Sequence, residues 1–156
     1  MAADLARSMS AARVTDVRAT RTGAVGTLAL RPRGVARIVA AVEDAELTLQ
    51  AQLLPARPDD AGWRAAEAFL NAVAAQVEGV EVTAGCAREQ GVAWLQVAGP
   101  VEDAARLALV TAAVGVGALG RANALLSEPA LAAAYLQMRC GETPGDPLAG
   151  EGGETR

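Results

Sequence analysis

Apolar residues recur along the chain in two rhythms, every second position and every third to fourth, and the order of these stretches predicts a mixed α+β domain. Residues 2–12 place Leu5, Met9 and Ala12 at spacings of four and three, which predicts a short amphipathic helix. Two strands are predicted next, over 14–20 and 25–30, around the glycine-bearing turn at Arg21, Thr22 and Gly23; Pro32 and Gly34 close the second. A further pair, 35–42 and 46–54, is joined at Glu43, Asp44 and Ala45. The later of these alternates cleanly, with Leu47, Leu49, Ala51 and Leu53 on one face and Glu46, Thr48, Gln50 and Gln52 on the other. Such a strand is half-buried and antiparallel, one face being left to water or a partner.

Pro55 and Pro58 end that pattern, and Asp59 and Asp60 offer a carboxylate cap for a helix over about 61–78. Its apolar stripe is Trp63, Ala66, Leu70, Val73 and Val77, widened by Phe69, with Gly79 at the C′ position. A third hairpin follows. Val80, Val82, Ala84 and Cys86 share one face, which makes Cys86 a core residue; the turn is Arg88 to Gly91, and the return strand is 92–98. Gly99 and Pro100 then open a second main helix with Glu102 and Asp103 in its first turn and Arg106 within reach of Glu102. From Leu107 this helix is apolar on all sides, with small residues such as Ala108, Thr111, Ala112, Gly115 and Gly117 at helical spacing. It must lie between the sheet and another helix, or between two subunits. A last helix, about 128–139, has Ser127 as its cap and Pro129 near its start and is available as the intramolecular cover. Residues 141–156 are rich in Gly, Pro and Glu with little to bury, so the reading is one domain over 1–140 and a disordered tail over 141–156.

Composition sharpens this picture mainly by subtraction. The chain has no histidine and no lysine, so all 14 cationic side chains are arginines. Acid–base catalysis near neutrality, Schiff bases, P-loops and His-bearing metal sites each lack a residue they need. Hydrophobic residues are 52% of the chain but aromatics only 3%, so Ala and Val must stabilise through close backbone approach. Two cysteines, Cys86 and Cys140, are too few for a disulfide framework and fit a reducing cytoplasm. Neither a secretory signal nor a membrane span is expected, since the longest uncharged apolar run, 107–120, has 14 residues against the roughly 20 a bilayer needs. Net charge is −4, yet residues 1–40 hold seven arginines against two aspartates, a local +5 that leaves −9 for the rest. Arg13, Arg18, Arg21, Arg31 and Arg33 are thus candidate anion contacts, though no aromatic residue is interleaved with them to stack a base.

Gly115, Gly117 and Gly120 spell G-x-G-x-x-G after an apolar run, which resembles the opening of short-chain dehydrogenases. A dinucleotide site needs a strand before these glycines and a second parallel strand after the helix, whereas here only a helix and a tail follow. Glycine-assisted helix packing is the better reading, with Thr111, Gly115, Gly117 and Gly120 as candidate interface positions. Acidic neighbours at Glu43, Asp44 and Glu46, at Asp59 and Asp60, and at Glu102 and Asp103 stand where turns and helix starts already favour acids. Ser8, Ser10 and Ser127 have no histidine to activate them. No catalytic residue, cofactor or metal is expected.

The order of helix, antiparallel strands, helix, hairpin and apolar helix resembles the YbjN family, whose fold is like that of the type III secretion chaperones. The resemblance is carried by the 35–54 hairpin, the helix from Trp63 through Asn71, and the 80–98 hairpin with the helix after it. It implies an antiparallel sheet with helices on one face, and a non-enzymatic, chaperone-like, often dimeric protein that binds other proteins. Two further functions stay open: a nucleic-acid-associated protein using the arginine-rich amino-terminal third, and a small-molecule or nucleotide binder.

Overall fold

The computed structural model of the chain describes residues 2–55 and 57–140. The predicted tail, 141–156, lies outside the described residues. Along the chain run α1 (Ala2–Ala11), β1 (Thr15–Ala19), β2 (Gly23–Ala29), β3 (Val35–Glu43), β4 (Glu46–Leu53), α2 (Asp60–Gln76), β5 (Glu81–Ala87), β6 (Val92–Pro100), α3 (Ala104–Ser127) and α4 (Pro129–Cys140), with single 3-10 turns at Arg88–Gln90 and Val101–Asp103. All six strands form one antiparallel sheet in the order β1-β2-β3-β4-β6-β5. The fold is a single-domain α+β sheet with its helices on one side.

Local chemistry sets each turn. Thr20 Oγ1 accepts a hydrogen bond from the Gly23 amide at 3.0 Å, closing the β1–β2 turn. Asp44 and Ala45, at φ +54° and +65°, form the two-residue β3–β4 loop, whose left-handed twist matches that of the flanking strands. Asp59 caps α2 as its position predicts, its carboxylate accepting from the Gly62 amide at 2.8 Å. Gly91, at φ +68°, completes the β5–β6 turn.

Alternation then divides the sheet. Leu28, Ile38, Leu47, Leu49, Leu95 and Val97 point to the helix side and are fully buried. Over them α1 covers β1 and β2, α3 crosses β2, β4 and β6, and α2 covers β5 and β6. α4 lies outside this layer against α2 and the end of α3, in a small cluster of Ala65, Leu125, Ala132 and Leu136 with Phe69 and Tyr135 edge to face at 6.1 Å. It therefore covers only one end of α3.

Three local expectations shift. The second main helix starts at Ala104, because Gly99 and Pro100 remain in β6, paired to Leu47 and Glu46; Pro100 is extended at φ −64° and ψ 142°. The first long helix ends at Gln76 with Val77 as its extended cap, so Gly79 does not serve as C′; at φ +85° it turns the chain towards β5. Ser127 does not cap α4: its hydroxyl donates back to the Asn123 carbonyl at 2.7 Å within α3.

Candidate interaction surfaces

The small residues of α3 have separate roles. Thr111 is buried and its Oγ1 donates to the Leu107 carbonyl at 2.8 Å, four residues back along the helix. A Cβ on Gly120 would lie 1.7 Å from the Arg31 carbonyl oxygen, so the missing side chain is what lets the β2–β3 turn rest on the helix. The Arg31 amide there donates to the Val116 carbonyl at 3.1 Å. Gly115 is buried too, and a Cβ would stand 3.3 Å from Leu28 Cδ2. Gly117 alone has open space, with nothing within 4 Å of a Cβ position. The G-x-G-x-x-G run is thus mid-helix, and Thr111, Gly115 and Gly120 are occupied within the monomer.

The solvent side of α3 exposes Ala105, Leu109 (56%) and Ala113. Val101–Ser127 is a stretch long and apolar enough, by length and composition, to cross a membrane. Half of its most apolar window is buried within the protein, against the sheet.

The candidate anion contacts separate into three places. Arg13, at φ +71°, and Arg31 flank a groove of about 520 Å³ between α1 and α3 whose floor is Leu28 to Leu30, and Arg33 stands in the same β2–β3 turn. Arg21 lies in the β1–β2 turn, at the opposite end of β2. Arg18 projects with Arg37 onto the sheet face that no helix among the described residues covers.

What segment-by-segment reading missed is which side chains that open face brings into one row. Across neighbouring strands Thr27, Arg37, Gln52, Trp94 and Gly85 form one row, and Arg18, Val25, Val39, Gln50, Gln96 and Thr83 the next. Gln52 Nε2 donates to Gln50 Oε1 at 2.6 Å and Gln50 Nε2 to Gln96 Oε1 at 3.1 Å, so the amides form a relay over β4 and β6. Trp94 rests its indole on Gly85, where a Cβ would be 3.3 Å from Cζ2. The available signal was the parity of β6: Trp94 and Gln96 alternate with Ala93, Leu95 and Val97.

Cys86 is half-buried beneath α2; burial, then the Glu67 carboxylate, push its thiol up to about 11 against the pull of Arg88, so it is a poor nucleophile. Asp60, hydrogen-bonded to Arg88, is held below the usual carboxylate range by that bond and by Arg88 and Arg64 charge. Among the described residues no group of three or more metal-ligating side chains converges. Between α3 and α4 an apolar groove of about 300 Å³ is lined by Phe69, Leu125, Leu131, Tyr135 and Met138.

Finally, the two sheet edges differ. β1 has five residues, a bulge between Thr15 and Arg18, and Asp16 at φ +52°. β5 pairs in regular register with β6 from Glu81 to Ala87. Its inward residues Val82, Ala84 and Cys86 are only half-buried, whereas the residues paired to them, Val97, Leu95 and Ala93, are fully buried. Compared with protein-family models, with curated proteins and with solved structures, the chain gives no match.

Proposed function

We propose that the chain is a non-enzymatic, chaperone-like protein-binding adaptor that works as a homodimer joined through β5. The observation that carries this reading is the state of that edge. A free strand edge presents unpaired amides and carbonyls, which proteins commonly blunt with bulges, charges or short length. β1 carries such protection in its bulge and its strained Asp16, while β5 is regular in register and incompletely covered on its apolar side. Antiparallel self-pairing centred on Ala84 sets Thr83 opposite Gly85 and Val82 opposite Cys86 of the partner copy. The two Glu81 side chains are then at opposite ends of the pairing, so no like charges meet. The resemblance of the element order to that of the YbjN family is a second support, and the apolar groove between α3 and α4 is a further surface for a protein ligand.

Sedimentation velocity on the full chain tests the dimer. The expected species is a dimer that Ala84→Glu converts to a folded monomer, since like charges directly opposite on paired strands repel. Circular dichroism on the same variant establishes that it is folded. A wild-type monomer at about 100 μM, a concentration well above a micromolar Kd, or a dimer untouched by Ala84→Glu, overturns the reading. Affinity capture from the native cell addresses the adaptor role, and a chain that retains no protein removes it.

A further inference from the structure

The arginine-rich third of the sequence contains no aromatic residue, but the sheet brings one to it. β3 and β6 lie on either side of β4, so Arg37 and Trp94 share a row and flank Gln52. At about 4.8 Å between neighbouring strands, the guanidinium stem and the indole start about 10 Å apart. Arg18, two strands beyond Arg37 and one row along, adds a second cation to the same face. Both arginines are exposed, and among the described residues neither makes a salt bridge. Glu43, Glu46 and Glu81 gather at the other end of this face, and Asp16 lines one groove with Arg18 and Arg37, so the two arginines outnumber the carboxylate beside them and a polyanion is favoured along the Arg37–Trp94 row.

We propose that this open face binds single-stranded nucleic acid, one base stacking on Trp94, the backbone phosphates meeting Arg37 and Arg18, and the Gln52–Gln50–Gln96 amides meeting base edges. The parts match the needs of such a ligand. Every base has an apolar face that an aromatic ring can take without regard to sequence, and guanidinium groups neutralise the backbone alongside. Gly85 keeps the indole low on the sheet, and the half-buried Trp94 retains part of its ring surface for a base. Glutamine amides carry donors and acceptors at once and suit the mixed edges of bases. Duplex DNA does not fit this arrangement, because its bases are stacked on each other and withheld from Trp94. The proposal uses a different surface from the β5 edge, so either can fail without the other.

The test is anisotropy of a fluorescein-labelled 12-mer of deoxythymidylate titrated with the full-length wild-type chain, with a duplex of the same length and with polyphosphate as competitors. Binding is expected to weaken with salt at a logarithmic slope of about −1.4, the value for two phosphate contacts on a single strand. Trp94→Leu should weaken it roughly 5- to 150-fold with little change in slope, and Trp94→Phe should restore much of the loss. Arg37→Gln should reduce the slope by about 0.7. Circular dichroism and urea midpoints confirm that each variant is folded, and Arg13→Gln with Arg33→Gln, away from the face, should change binding little. The proposal is overturned by the absence of binding, by binding indifferent to Trp94→Leu in a folded protein, or by equal displacement with polyphosphate, which has no bases.

Discussion

The two sides of α3 are built from the same residues and do opposite things. Gly120 and Gly117 are three positions apart in one helix, yet one touches backbone and the other touches nothing. Leu119 is fully buried, and Leu109 is exposed. On the sheet side, glycine is required because the Arg31 carbonyl occupies the space of a side chain, and the neighbouring amide ties the turn to the Val116 carbonyl. On the solvent side, glycine only weakens the helix. The composition of a helix therefore says less about its role than the identity of what lies against each residue.

Substitutions can break this contrast. Gly120→Ala forces a Cβ into a backbone carbonyl that cannot rotate away, and urea unfolding should show a loss of about 3 kcal/mol or more. Gly117→Ala should instead raise stability by up to about 1 kcal/mol, from helix propensity alone. Equal effects at the two positions would mean that the β2–β3 turn does not rest on α3. Leu119→Ala should cost about 2–5 kcal/mol by leaving a cavity, while Leu109→Ala should stay within about 0.5 kcal/mol.

The same contrast extends to α2, whose packed side covers Cys86 and whose wet end carries Asp60. In a Cys140→Ser variant, Cys86 should react with a thiol reagent at pH 8 roughly a hundredfold more slowly than in the urea-unfolded chain, as a rise from 9.0 to about 11 requires. Because the folded thiol stays neutral longer than the unfolded one, this group withdraws stability as pH rises from about 9 towards 11. Asp60 gives the smallest effect and the opposite sense. Its pKa is lowered in the folded chain, so its contribution is present above the ordinary carboxylate value of 3.8 and is lost as pH falls below it; Arg88→Ala should flatten that acid limb of a stability profile.

The sequence by itself determined the element types, their order and the division of the sheet into a packed and an open face. Period-two alternation in Leu47 to Leu53 fixes which side of β4 is apolar, and Asp59 ahead of an amphipathic run fixes where α2 begins, since both depend on neighbours only a few residues away. It also weighed against the dehydrogenase reading of Gly115 to Gly120 through the elements that follow them. Tertiary structure alone decided the boundary at Pro100, which pairing to Glu46 holds in β6 after local preference would have opened a helix. It decided the roles of the three glycines, because the carbonyl against Gly120 comes from a turn nearly ninety residues earlier. Trp94 and Arg37 came to share a row for the same reason: strand order in a sheet is set by long-range pairing and packing, and a chain read in sequence keeps apart what the sheet puts in one row.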